Sequence, residues 1–333
     1  MAQRNFKNNF PIKEIDDDSW MIGQVIISRH ASKPDGPCWD DGKGAFFAIS
    51  EAPSPKPSTR PLSDSCPIVE FSCGSVTCEL GMFEVGHAHL MIDGAFGTPE
   101  HVTLEWLAEK NLSFQIPEVY YHGIFDKFYY LVHSSLSAGQ NLLYAWPKAK
   151  DHATMALWAN QIADACVELS QWSGSAITGI DGNELFDYYL AQKTKGYDSM
   201  YHPESLRKSC EEIPLDCSKF VFALNNVHPL AFTVDEKGLA GISSWCEAGY
   251  VPKDWIGTKV SCNSFFQASD ICHKLWSEAD SDNWYRHINA ALKNKGFKQF
   301  WYKYSLWNHE RVKKLRETSE GSYESMICGT EVE

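Results

Sequence analysis

The segment Phe222 to Tyr250, FALNNVHPLAFTVDEKGLAGISSWCEAGY, gathers an amide, an imidazole, carboxylates, a hydroxyl, an indole and a phenol. An imidazole such as His228 can give or take a proton near neutral pH when no carboxylate competes for it. The carboxamide of Asn226 can hold a substrate carbonyl or hydroxyl by hydrogen bonding, but it cannot take the proton. Glu247 and Asp235 are the nearest acids, and both read as solvated turn residues. Asn226, His228 and Glu247 are therefore the candidate catalytic residues. Ser244, Trp245, Asp235 and Tyr250 are the candidate ligand-binding residues. Elsewhere, His87 and His89 share one face if Gly86 to Met91 is extended, which makes a metal pair without a third ligand nearby. Cys73 and Cys78 are too far apart for C-x-x-C and read as buried small residues.

The elements around this segment follow from periodicity. Phe220 to Leu224 and Ala231 to Val234 read as short strands, Asp235 to Gly238 as a turn, and Leu239 to Ile242 as the returning strand. Ala153 to Trp172 is an amphipathic helix, Asn183 to Lys193 a second one, and Phe265 to Leu315 a helical tail broken near Asp280 and Gly296. Upstream, Ile22 to Ser28 alternates as a strand, and Ala31 to Pro67, with its PSPKPSTRP run, reads as an irregular loop. Ile68 to Ile92 reads as short strands interrupted by Gly74, Gly81 and Gly86. Thr98 opens a helix, with Pro99 at its first helical position.

The Phe222 to Tyr250 segment resembles the catalytic and metal-binding stretch of the aminoglycoside phosphotransferase family, H-G-D-x-H-P-x-N-x-x-V-D followed by G-I-I-D-W-E and A-G-Y. His228, Pro229, Val234, Asp235, Gly241, Ile242, Trp245, Ala248, Gly249 and Tyr250 keep that pattern. The catalytic aspartate of the pattern falls on Asn226, its metal-binding asparagine on Ala231 and its metal-binding aspartate on Ser244. The resemblance makes His228 a loop-ordering residue before it is a catalytic one. TPEHVTLEWLAEKNLSFQIPEVYYHG and FYYLVHSSLSAGQNL look like the family's helix, small-lobe strands and hinge. ITGIDGNELFDYYL resembles a loop and helix common in the branch found in filamentous fungi. What this implies is an α+β, two-lobed, protein-kinase-like fold. Its expected parts are an N-terminal extension and proline-rich loop over 1–65, a small sheet-plus-helix lobe over 66–138, and a larger helical lobe over 139–333.

Phosphoryl transfer depends on positioning and charge neutralisation by magnesium and a small-lobe lysine. Alanine offers magnesium nothing, and serine offers one neutral oxygen where hard cations want carboxylates. Between Lys56 and Lys110 there is no lysine, and Arg60 is the one arginine. MFEVG, Met82 to Gly86, looks like the family's V-V-K-x-G strand with Glu84 in the lysine's place. Glu100, which matches the helix glutamate that pairs with that lysine, is left without its partner. A nucleotide's phosphates would meet like charge here.

The composition, 333 residues with 44% hydrophobic content, is enough for two lobes, and the net charge of −13 argues against a broad nucleic-acid surface. No apolar stretch reads as a signal peptide or a membrane span. Eleven scattered cysteines read as reduced thiols in a cytoplasmic protein. The basic, aromatic segment Phe297 to Glu317 is read as a core-packing helix with a solvated basic face. Twelve tryptophans suit an apolar or aromatic small-molecule partner. The expectation is a pseudokinase by sequence, without cofactor or metal, whose inter-lobe cleft serves a cyclase- or isomerase-type enzyme of specialised metabolism. An unusual small-molecule kinase and a non-enzymatic binding or regulatory protein are the alternatives.

Overall fold

The computed structural model describes residues 10–70, 79–94, 97–149, 151–191, 200–262 and 274–318. Cys73 and Cys78 lie outside them. The chain is α+β and falls into two compact units, Met1–Ala95 with Pro117–Ser135, and Phe96–Ile116 with Leu136–Glu333. Among the described residues no helix is long and apolar enough to cross a membrane.

The first unit is built from strands. One antiparallel five-stranded sheet has the order β1-β2-β3-β5-β4, from Ile12–Asp16 (β1), Ser19–Ile22 (β2), Val25–His30 (β3), Cys38–Asp40 (β4) and Phe46–Glu51 (β5). The other has the order β6-β7-β8-β10-β9, from Ile68–Glu70 (β6), Glu79–Val85 (β7), Ala88–Gly94 (β8), Val119–Phe125 (β9) and Phe128–Ser134 (β10). Side chains alternate across a strand. Trp20, Ile22, Ile27, Phe47 and Ile49 of the first sheet therefore share one core with Phe83, Val85, Leu90, Ile92, Tyr130 and Val132 of the second.

Two expectations are corrected here. Ala31 to Pro67 is not wholly an irregular loop, because β4 and β5 lie within it. Its polar centre is the tight turn between them, where the Asp41 carboxylate accepts the Lys43 and Ala45 N–H groups at 2.8 and 2.9 Å. His87 and His89 do not form a pair on one face. Gly86, at a φ of 59°, turns the chain between β7 and β8 and leaves His87 in the turn, 3.2 Å from Asp40. His89 instead stands directly opposite His133 on β10, with ring centroids 5.5 Å apart.

The second unit carries the helices. They are Glu100–Ala108 (α1), Leu142–Ala145 (α2), His152–Leu169 (α3), Pro203–Glu212 (α4), Lys253–Val260 (α5), Glu278–Asn294 (α6) and Trp301–Thr318 (α7). Short strands form two three-stranded sheets, β11-β14-β15 and β12-β13-β16. They run Gln140–Asn141 (β11), Ser173–Gly174 (β12), Phe220–Ala223 (β13), Phe232–Asp235 (β14), Gly238–Ile242 (β15) and Gly249–Pro252 (β16). The helix expected from Thr98 starts later. Pro99 is its N-cap, and the Thr98 hydroxyl donates to Asp181 at 2.5 Å. In the chain α1 lies between β8 and β9, yet it packs within this second unit, so the described residues of the first unit contain strands and no helix. The helix expected over Asn183 to Lys193 is absent from the described part of that stretch. There the Asp187 side chain accepts the Tyr189 and Leu190 N–H groups, which favours a turn over helix. Residues 192–193 lie outside the described part. Gly296, at a φ of 83°, separates α6 from α7, and a Ser277–Asp280 capping box starts α6.

Candidate functional site

Strand β13 runs into the loop that carries Asn226 and His228. Asn225 takes a left-handed φ of 59°, a conformation asparagine tolerates better than most residues. Asn226 follows, half-buried, and its carbonyl accepts the His228 N–H at 2.9 Å. His228 is buried and caps the turn Pro229–Ala231, its Nδ1 accepting the Leu230 N–H at 3.2 Å. Burial pushes the imidazole down to about 4. At neutral pH the ring is therefore uncharged, with its proton on Nε2, and it orders the loop.

Behind the loop is a buried ionic cluster. Asp187 Oδ2 accepts from Asn225 Nδ2 at 2.9 Å, Trp255 Nε1 at 2.8 Å and Lys259 Nζ at 3.4 Å. Its other oxygen, Oδ1, takes the Tyr189 and Leu190 amides at 2.9 and 3.1 Å. Lys259 Nζ also donates to Glu247 Oε2 at 2.7 Å. All three charged side chains are almost completely buried. Burial works against the lysine's charge, but the Asp187 and Glu247 carboxylates outweigh it and hold Lys259 above the ordinary lysine value. Glu247 is thus not a solvated turn residue, because its carboxylate is committed to Lys259 inside the fold. The Asn225 side-chain oxygen is buried without a hydrogen-bond partner.

The other candidates divide by exposure. Trp245 is 1% exposed; its indole N–H donates to the Ile242 carbonyl at 3.0 Å and its ring stacks on Phe114. It is a core residue and no wall of an open pocket. Its backbone N–H donates to Glu100 Oε1 at 2.7 Å, so Glu100 is not left without a partner. Asp235 behaves as a turn residue, one oxygen accepting the Lys237 and Gly238 N–H groups at 2.7 and 3.1 Å. Ser244 is half-buried, its Oγ 3.9 Å from Cys246 Sγ. Tyr250 is half-buried, edge-on to Phe222.

These residues do not suit magnesium. The Ala231 side chain has no ligating atom, Ser244 has one neutral oxygen, and the Asp235 and Glu247 carboxylates are engaged by backbone amides and by Lys259 respectively. Among the described residues no three or more His, Cys, Asp or Glu side chains are grouped to hold a metal ion. A surface groove of about 410 Å³ runs beside α3, lined by Asn111, Ser113, Asp164, Glu168 and Trp172 among others, and it contains none of the loop residues.

Sequence reasoning found the loop but not its anchor. Asp187, Asn225 and Lys259 carried no local signal beyond one: a lysine within the apolar run WIGTKV needs a buried partner if the run is buried.

No family model and no curated protein sequence matches the chain. Among solved structures, the streptomycin–ATP–APH(2″)-IIa ternary complex aligns with a TM-score of 0.43 and 13% identity, over 74% of this chain and 82% of that one. An apo thermostable mutant of aminoglycoside phosphotransferase APH(4)-Ia gives 0.41 and 14%, over 77% and 95%. ADP-bound aminoglycoside phosphotransferase APH(2″)-Ib gives 0.42 and 13%, over 76% and 88%. Superpositions this loose support no conclusion about activity.

Proposed function

We propose that this chain is a phosphotransferase-like protein of kinase-like type turned away from phosphoryl transfer. In this reading it performs cofactor-independent chemistry of the cyclase or isomerase type on an apolar small molecule of specialised metabolism. The observation that carries the reading is the state of the catalytic-type loop. Its frame is held firmly by His228, Asn225 and Asp187, while the positions that would do phosphoryl chemistry are Asn226, Ala231 and Ser244. A carboxylate base is missing at 226, and Glu247 cannot replace it without abandoning a buried lysine.

In the helix-rich unit, Asn226, Ser244 and Tyr250 are among the half-buried polar groups of the segment. They would hold one carbonyl or hydroxyl of the ligand while its apolar body is buried. Fixing a reactive conformer in this way lowers a barrier without a cofactor.

Native mass spectrometry of the protein as purified, paired with calorimetric titration of ATP and magnesium, tests this. The expected result is a retained small molecule and no magnesium-dependent nucleotide binding. Asn226→Ala should weaken ligand binding about tenfold, the equivalent of one hydrogen bond of about 1.4 kcal/mol. Tight, magnesium-dependent nucleotide binding would overturn the proposal in favour of an unusual phosphotransferase.

A further inference from the structure

Helices α3 and α6 pack together, and where they meet each offers a histidine. His152, the first residue of α3, is exposed, and His287, midway along α6, is half-buried. His152 Nδ1 stands 3.4 Å from His287 Nε2, while the ring centroids are 5.6 Å apart, so the rings meet by their nitrogen edges. The His287 ring is edge-on to Trp146, whose indole N–H donates to the Asp280 carbonyl of α6 at 3.1 Å. Asp151, the N-cap of α3, places a carboxylate on the residue next to His152. Arg286, the residue before His287, donates to Asn283 Oδ1 at 2.9 Å.

A neutral imidazole keeps one nitrogen lone pair for a proton or for a borderline metal ion such as zinc. Two nitrogens each about 2.1 Å from one tetrahedral zinc stand about 3.4 Å from each other. The separation between His152 and His287 already has that value. Burial first, then His152 and Arg286, hold the His287 imidazole below its ordinary value, which keeps it a neutral ligand at neutral pH. His89 and His133 show the contrast. They meet edge to face, with 73° between the ring planes, and His133 Nδ1 is spent on the Ser134 carbonyl at 3.0 Å.

We infer that His152 and His287 form a binding site for a borderline divalent cation of the zinc class, with water filling the remaining coordination positions. Without the cation, one ring donates its N–H to the lone pair of the other. The cation takes the place of that shared proton. The donor ring moves its proton, through solvent, to its far nitrogen, and both facing lone pairs then coordinate. Two protein ligands make a weaker site than the three or four of catalytic and structural zinc. They are consistent with the lack, among the described residues, of any group of three His, Cys, Asp or Glu side chains placed for a metal. The bound ion ties the first turn of α3 to the middle of α6. The site stands apart from the proposed activity.

The test strips the full chain with a chelator, then follows thermal unfolding and calorimetric binding as zinc chloride is added. The expected result is saturable binding that raises the unfolding temperature. Magnesium chloride should do neither, because that hard cation takes oxygen ligands. His152→Ala, at an exposed position, and His287→Gln, which keeps a polar group against Trp146, should each weaken zinc binding about tenfold or more. His87→Ala, in the exposed turn beside Asp40, should leave zinc binding unchanged. Circular dichroism checks that each variant is folded. The proposal is overturned if zinc does not raise the unfolding temperature, if His152→Ala binds zinc as tightly as the parent chain, or if His87→Ala weakens binding as much as His152→Ala does.

Discussion

In the sheet unit, buried His133 is an imidazole set against a second imidazole, His89. In the helix-rich unit the buried polar centre is a lysine between two carboxylates, Asp187 and Glu247. The sheet unit's buried carboxylate, Glu14, meets a cation, Arg60, that is half in solvent, whereas the helix-rich unit encloses Lys259 together with both of its carboxylates. Strands present an apolar face whose backbone is already satisfied by the ladder, so a charged side chain there, such as Glu14, can take its cation from the sheet's edge. The second unit must fasten irregular segments to one another, and charge-assisted hydrogen bonds give direction that apolar packing lacks.

The sharpest way to break this contrast is Lys259→Met. Removing one partner leaves Asp187 and Glu247 as uncompensated buried charges, which costs on the order of 3–5 kcal/mol. Urea denaturation should show that loss, and adding Glu247→Gln to the same chain should return part of it. A loss below about 1 kcal/mol would put the two units on the same footing.

The next effect comes from acid, and it touches both units. His133 and His228 each sit at about 4 in the fold, against an ordinary value of 6.5. Above the ordinary value both folded and unfolded rings are neutral. As pH falls below it the unfolded ring takes a proton that the folded ring refuses, so stability is lost progressively down to about pH 4. Each ring accounts for up to about 3 kcal/mol of that loss. Denaturation curves at pH 7 and near pH 4.5 should show it, and His133→Gln should be less acid-sensitive than the parent chain. Equal sensitivity would mean that the sheet unit's imidazole protonates within the fold.

A smaller effect is expected at Glu100, a buried carboxylate of the helix-rich unit that holds the Trp245 amide. Glu100→Gln keeps an acceptor and removes the charge, so the cost should be about 1 kcal/mol in thermal or chemical unfolding. A neutral result would restrict charge-based anchoring to the Lys259 cluster.

The same contrast explains what could be seen in the sequence. Val25–His30 shows its inward face as period-two alternation, and α3 shows its face in the same local way, whereas β10 is buried on both faces and shows no alternation. The loop between β13 and β14 was visible because its residues are contiguous. What local patterns did not show were pairings across distance. His89 meets His133 through strand register, Glu100 reaches Trp245 from 145 residues away, and Lys259 reaches Asp187 from 72. Asn183 to Lys193 looked helical because its periodicity is apolar, while the Asp187 carboxylate turns the backbone instead. Cys38–Asp40 looked like loop because a three-residue strand next to a glycine-rich turn has too little pattern to read.

The Asp187 carboxylate also bears on the order in which the molecule assembles. Its partners Asn225, Trp255 and Lys259 lie 38, 68 and 72 residues further along the chain. Lengthening a closed loop from the first of these spans to the last adds only about 0.6 kcal/mol of closure entropy. Chain length is therefore a small part of the difficulty; the larger part is that one side chain must wait for several remote segments to converge. The turn that displays Asn226 is expected to become rigid only after that convergence, and to be among the first places to exchange its amide hydrogens when the helix-rich unit loosens.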